Sequence, residues 1–415
     1  MDESQAYLAA PEWSSRAAII ANVAAHIVAA GPMLLYRLIV PAIMERYQVS
    51  SVEVGYLFSL GAVCTGVCAI LVGIFASKMN FRRVCSLAMA IHVVGALICL
   101  FAPSFAVFVL GRAISACSDG VLICAANAAL ARSSKPTRNW TYCAVAVGLF
   151  GAVGNAIVGR MLPIYGMDSV FVVVAILGIV VLPSQMFIPN LRPPKSYKPA
   201  KTVREQPFKA VVTALKGPKG ALMMSMIVLF TMGSGMLSPF DAVIGLNIGL
   251  SIVEIGDIRG IAFAAATGAL FINLFLSDRF GRAAPFLITG LMVALSDGVI
   301  GMTDTAMIFA IAIIVGDAGH RLNGPYYASV LARHDRTGSL NGAAIAFVNV
   351  GSALGPVLGG HLHEATGSFH AVGLAAMVLG LIGFGVMSIV AFKQERGGEE
   401  QQGSGTMRVA EAKAD

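Results

Sequence analysis

The sequence predicts an all-α polytopic membrane protein: twelve transmembrane helices forming two pseudo-symmetric six-helix bundles. Three observations carry this. The 415-residue chain is 57% hydrophobic and only 12% charged, against roughly 25% charged in a soluble domain, which leaves too little polar surface to cover a globule of this size in water. Apolar runs long enough to span a bilayer recur along the chain without the alternation of a β-barrel. Basic residues concentrate in every second loop between these runs.

The elements follow in order. The first sixteen residues carry Asp2, Glu3 and Glu12, where a secretory signal would be basic, and the apolar run behind them is too long for a signal-peptide core. Residues 1–16 are therefore expected to be a retained cytoplasmic tail. Hydropathy, punctuated by Gly, Pro and charge, places spans at 17–43, 54–76, 84–101, 105–130, 139–162, 169–188, 220–246, 257–276, 284–302, 306–331, 338–360 and 369–392. The loops after spans 2, 4, 6, 8 and 10 hold eighteen Lys and Arg, and the loops on the other side hold only Arg46. By the positive-inside rule both termini lie in the cytoplasm. Residues 189–219, Pro-rich with eight basic residues and Glu205, form a basic cytoplasmic linker between a 17–188 bundle and a 220–392 bundle. Residues 393–415 are a short polar cytoplasmic tail. Topology and anionic lipid account for the net charge of +7, so no nucleic-acid partner is expected.

The halves repeat at one offset, 201 residues. Residues 51–55 match 252–256, residues 77–83 match 278–284, residues 130–132 match 331–333, and residues 154–159 match 355–360. Two parallel six-helix repeats about an axis along the membrane normal follow from this. Ser277, Asp278, Arg279, Phe280, Gly281 and Arg282, in the loop after span 8, resemble the D-R-x-G-R signature of the major facilitator superfamily. The first-half copy departs from it at Ser77 and Asn80. Gly351, Gly355, Pro356, Gly359 and Gly360 resemble the family's G-x-x-x-G-P-x-x-G-G pattern, on span 11 instead of span 5, where Asn155 replaces Pro. The resemblance covers about residues 17–392 and implies the major facilitator fold. It also implies that Asp278, Arg279 and Arg282 close a cytoplasmic gate.

Ionisable residues inside a membrane cost roughly 2.5–3.5 kcal/mol each, so those present are functional candidates. They are Arg37, Arg112, Arg160, Arg259 and Arg321; Asp119, Asp241, Asp297 and Asp317; and His26, His92 and His320. On span 4, Arg112 and Asp119 are seven residues apart, hence on one face and about 10.5 Å apart. An Arg cannot deprotonate to escape burial and suits a substrate carboxylate; a buried Asp can carry a proton. An internal stabilising pair is the structural alternative. On span 1, His26, Tyr36 and Arg37 lie around an interruption at Gly31 and Pro32. The segment around Arg37, and the Arg112, Asp119 and Gly120 series, resemble the anion:cation symporter subfamily, which keeps an Arg on the first helix. On span 10, Asp317 can reach His320 and Arg321 on its own helix, with Asn323 one turn on. The offset pairs Asp119 with His320, which are expected to face each other across the cavity as a proton-coupling pair. It also sets Asp241 near the mate of Arg37, and those two are expected to form an outer gate pair.

The seven Cys (64, 68, 85, 99, 117, 124 and 143) are an odd, buried set and read as apolar packing. His361, His363, Glu364 and His370 allow a metal-site reading, but an interfacial loop is preferred. P-loop and H-E-x-x-H motifs are missing, so neither ATP-driven transport nor zincin-type proteolysis finds sequence support. The expectation is a monomeric secondary transporter, not an enzyme, in a bacterial inner membrane, without cofactor or metal. It takes a small organic anion, a carboxylate, at Arg37 and Arg112, with His26, Tyr36, Arg321 and Asn323 around it. Protons moving through Asp119, His320 or Asp317 drive uptake. The alternatives are proton-driven efflux of drugs or metabolites and, at lower weight, a transporter-like receptor.

Overall fold

A computed structural model of the chain describes residues 10–75, 79–191, 212, 215–276, 281–334 and 339–411. Every regular element among them is helical. We number the long helices α1 to α12: α1 (Arg16–Tyr47), α2 (Ser51–Phe75), α3 (Phe81–Leu100), α4 (Phe105–Ala131), α5 (Pro136–Tyr165) and α6 (Asp168–Phe187) in the first half, and α7 (Pro218–Leu237), α8 (Ile252–Leu276), α9 (Ala283–Met302), α10 (Ala306–His334), α11 (Ser339–Thr366) and α12 (Phe369–Glu411) in the second. Among the described residues, eleven helices are long and apolar enough to cross a membrane. α8 stands where the eighth span is expected and carries Glu254, Asp257 and Arg259 in its first turns.

The 201-residue offset extends to local geometry. Each half has a short helix after its first long segment, Val40–Tyr47 and Asp241–Asn247, and Val40 and Asp241 are offset mates. Gln48 and Gly249, also mates, end these short helices with positive φ of 52° and 87°, and Gly166 and Gly367 do the same after α5 and α11. Glu53 accepts from Ser50 N and Glu254 from Ser251 N, both at 2.8 Å, so α2 and α8 start with the same reciprocal cap.

Two departures from expectation concern helix ends. Span 1 is broken not at Gly31 and Pro32 but one turn later, by a 3-10 turn at Tyr36–Ile39. Pro41 has no N–H to give to the Arg37 carbonyl, so the i to i−4 ladder lapses there and the chain tightens. The region beyond residue 360 is not a loop: α11 runs on to Thr366, where Gly367 ends it. Likewise α12 stays helical to Glu411 instead of stopping near 392, no Pro intervening to end it.

The ends of the molecule differ. At the terminal end Trp13 packs edge-on against Phe81 and under the Arg132 guanidinium. At the opposite, distal end the halves meet. There α2 lies on α11 and α5 on α8: Ser51 Oγ is 3.0 Å from His363 Nδ1, Tyr56 Oη 3.2 Å from His361 Nε2, and Arg160 binds Asp257 at 2.5 and 3.0 Å. Glycines permit the close crossings. A Cβ on Gly256 would lie 2.7 Å from the Asn155 carbonyl and 2.9 Å from Gly159 Cα, and one on Gly360 2.5 Å from the Ser51 carbonyl. Small residues let membrane helices approach to backbone contact.

Candidate functional site

Beneath the distal closure lies a cavity of about 510 Å³ between the halves. Residues of α1, α2, α7, α8, α9, α10 and α11 line it, as does Asp241 at the start of its short helix. The break in α1 turns Arg37 into this space, and the break after α7 presents Asp241.

Arg37 Nη1 lies 3.8 Å from Asp241 Oδ2, with 30% of the Arg37 side chain accessible. Arg259, on α8, is far more enclosed, at 3%, and its Nη1 reaches the same Asp241 oxygen at 3.3 Å and Asp317 Oδ2 at 3.4 Å. Asp297 Oδ2 accepts from Ser234 Oγ at 2.7 Å. His320 and Arg321 line the remaining α10 wall. Three Arg thus face three Asp, and the ionised cavity is neutral with His320 uncharged.

A second, smaller cavity of about 40 Å³ lies within the first half, lined by Tyr36, Arg112, Asp119 and Thr65 among others. Met33, Phe58 and Ala62 line both cavities and divide them. The Arg112 guanidinium sits 3.9 Å over the Tyr36 ring, a cation–π contact strengthened by desolvation. Asp119 Oδ1 is 2.7 Å from His92 Nδ1, both side chains buried.

The expected site residues therefore divide. Arg37, Asp241, Asp317, His320 and Arg321 share the central cavity. Arg112, Asp119 and Tyr36 do not, so the expected carboxylate clamp of Arg37 with Arg112 is corrected: the break in α1 sends neighbouring side chains in different directions. Asp119 does not face His320 across a cavity; its partner is His92 of α3. Asp317 extends to Arg259 on α8, where the sequence suggested a pair within α10. Asn323 turns away into the α9 contact, donating to Thr289 Oγ1 at 2.9 Å. His26 lines neither cavity. Asp278 and Arg279 lie outside the described residues. Arg282 caps α9, its backbone N–H donating to Glu395 Oε1 of α12 at 2.6 Å. His361 and His363 bond across the halves instead of gathering around a metal.

Sequence reasoning counted Arg259, Asp297 and His92 among the intramembrane ionisable residues but gave them no role, and it passed over Ser234. The depth of Arg259 in an apolar run, with two acids needing a cation, was the available signal. Ser234 offered none.

The sequence profile of the Major Facilitator Superfamily matches residues 23–256 and 223–413. The chain belongs to this superfamily. It is a membrane transporter, not an enzyme. Solved structures agree in fold: the nucleoside transporter NupG (13% identity, 92% of this chain and 99% of that one, TM-score 0.71), a bacterial homologue of the human lysosomal transporter Spinster in an inward-facing and occupied conformation (16% identity, 91% and 96%, 0.63), and the human organic anion transporter MFSD10 (14% identity, 91% and 99%, 0.65). No curated protein sequence matches the chain.

Proposed function

We propose that this superfamily member is a proton-coupled secondary transporter that takes up a small organic anion, a carboxylate, by alternating access. The observation that carries the reading is the uneven pairing of the cavity arginines. The charge of Arg259 is met by two carboxylates, Asp241 and Asp317, both at Nη1. Arg37, by contrast, is partly accessible and held only by a 3.8 Å contact to an Asp241 that Arg259 already shares. With Arg321, which lines the same cavity from α10, it supplies guanidinium donors for a carboxylate. Electroneutrality argues for the proton: an anion entering a balanced, low-dielectric cavity leaves one unpaired negative charge unless a proton comes with it. His320, Asp317 and Asp119 are the groups suited to hold that proton.

In this reading the distal closure separates the cavity from one side of the membrane, and rocking of the halves opens it. In the same reading the termini lie in the cytoplasm, the side the basic loops favour, of a bacterial inner membrane, the distal end faces out, and the monomer is the working unit. Arg37 and Asp241 act as a gate pair that the substrate parts. MFSD10, described as an organic anion transporter, is consistent with this substrate class.

Proteoliposomes with an imposed pH gradient, offered a panel of small carboxylates, test the reading. Proton-driven accumulation that falls sharply in both Arg37→Ala and Arg321→Ala, at a carboxylate concentration that half-saturates the wild type, supports it. Full anion uptake in both variants, or proton-driven movement of organic cations instead, overturns it.

A further inference from the structure

Two groups of opposite sign on the central cavity wall are left unmatched. Asp241 and Asp317 each have an arginine within ion-pair distance, whereas among the described residues Asp297 has none, and Arg321 has no acid at that distance. Ser234 Oγ donates to Asp297 Oδ2 at 2.7 Å. Asp297 Oδ1 has no hydrogen-bond partner among the described residues, and the side chain lines the cavity. A carboxylate this deep in an apolar setting calls for a further donor.

Both residues stand on stretches of helix fixed by close crossings. Ser234 lies between Gly233 and Gly235. A Cβ on the first would be 2.7 Å from the Ala376 carbonyl oxygen of α12, and one on the second 3.2 Å from Gly355 Cα of α11. Asp297 lies between Ser296, whose Cβ would be 3.0 Å from a Cβ on Gly316 of α10, and Gly298, where a Cβ would be 2.7 Å from Met377 Sδ of α12. The pair is thus built on rigid elements, as a recognition site requires. It belongs to the second half alone: the offset mates of Ser234 and Asp297 are Met33 and Ala96.

Resting on the carboxylate reading above, we infer that Asp297, positioned by Ser234, is a specificity-determining residue. The substrate bears a hydroxyl as well as its carboxylate, and this hydroxyl donates to Asp297 Oδ1 while the carboxylate meets Arg37 and Arg321. An ionised carboxylate only accepts, so the group that meets Oδ1 must donate. O–H and N–H both do. An ammonium would cancel the charge of the substrate, and the balanced cavity would then need no accompanying proton; a hydroxyl donates and leaves the substrate an anion. A carboxylate without the hydroxyl leaves Oδ1 facing C–H, and a charged acceptor deprived of its donor is the loss by which sites reject analogues lacking an O–H.

The test is selectivity, read in the proteoliposomes that screen the carboxylates, with each straight-chain carboxylate accompanied by its monohydroxy and monoamino derivatives. The member that accumulates most is labelled, and the others compete with it. In wild type at least one hydroxy derivative should compete about tenfold or more better than its parent carboxylate, and the amino derivatives should not. Asp297→Ala should bring that ratio near one while labelled uptake continues. Asp297→Asn, whose amide oxygen still accepts, and Ser234→Ala, which frees the carboxylate, should each shrink it. The ratio is read, not the rate, because removing the charge of Asp297 changes the binding of every anion alike. If parents and hydroxy derivatives compete equally in wild type, or Asp297→Ala keeps the wild-type ratio, the inference is overturned and the uptake reading stands. Should Asp297→Ala not fold, an unchanged ratio in both Asp297→Asn and Ser234→Ala overturns it equally. An amino derivative that competes best overturns the hydroxyl and the anion reading together. If no member accumulates, the carboxylate reading has failed and this inference falls with it.

Discussion

Arg160 grips Asp257 with both terminal nitrogens of its guanidinium, at 2.5 and 3.0 Å, and so fastens the distal end of α5 in the first half to α8 in the second. Both side chains are about half exposed, so the pair selects between arrangements of the halves more than it stabilises either bundle. Arg160→Glu and Asp257→Arg should each shift spin-label distances across the distal end toward wider separations, and the double charge swap should restore the narrow distribution. Equal distributions in all four proteins would remove the pair from the closure.

Arg259 is the structural centre of the cavity wall. Its removal leaves Asp241 and Asp317 without their shared cation in a buried setting, a type of loss that costs about 3–5 kcal/mol. Arg259→Ala should lower the thermal midpoint in detergent markedly. Adding Asp317→Asn to Arg259→Ala should recover part of the loss, because it neutralises one of the stranded charges.

Arg37 and Asn323 were grouped by their sequence and are separated by their contacts. Loss of a charge-assisted hydrogen bond weakens binding by about 1.5–3 kcal/mol, so Arg37→Ala should raise the concentration of carboxylate needed for half-maximal uptake by about tenfold or more. Asn323→Ala should leave that concentration unchanged and cost roughly 1 kcal/mol of stability, since its amide serves the contact with Thr289.

Glu395 accepts from the backbone N–H groups of Arg282 and Ala283, at 2.6 and 3.1 Å, and so ties α12 to the start of α9. Loss of such a cap costs about 0.5–2 kcal/mol. Glu395→Ala should lower the unfolding free energy by that amount and the thermal midpoint with it, with Glu395→Gln intermediate because the amide oxygen still accepts.

Much of this architecture was readable because it obeys translation by a constant. The offset that aligns Ser51 with Ile252 also aligns Gln48 with Gly249 and Gly166 with Gly367, so turns and caps were encoded alongside the spans. The site was less readable. Helical spacing fixes which residues share a face only while the helix continues, and the 3-10 turn after Leu35 separates Tyr36 from Arg37. Spacing within one helix also says nothing about partners on another. Asp119 meets His92 and Asp317 meets Arg259 through packing of α4 on α3 and α10 on α8, and nothing in the order of the residues announces either meeting.

The glycine crossings have a mechanical consequence. Where Gly256 rests on the Asn155 carbonyl and Gly360 on that of Ser51, these two points of the closure are main chain laid against main chain, with no side chain between them. Such a joint has no hinge leaf or plug: it parts only when whole helices separate. Opening the distal end is then motion of two solid bodies along two straight seams, α2 on α11 and α5 on α8. A single added methyl on either seam would act as a wedge, holding the molecule in the arrangement opposite to the one described.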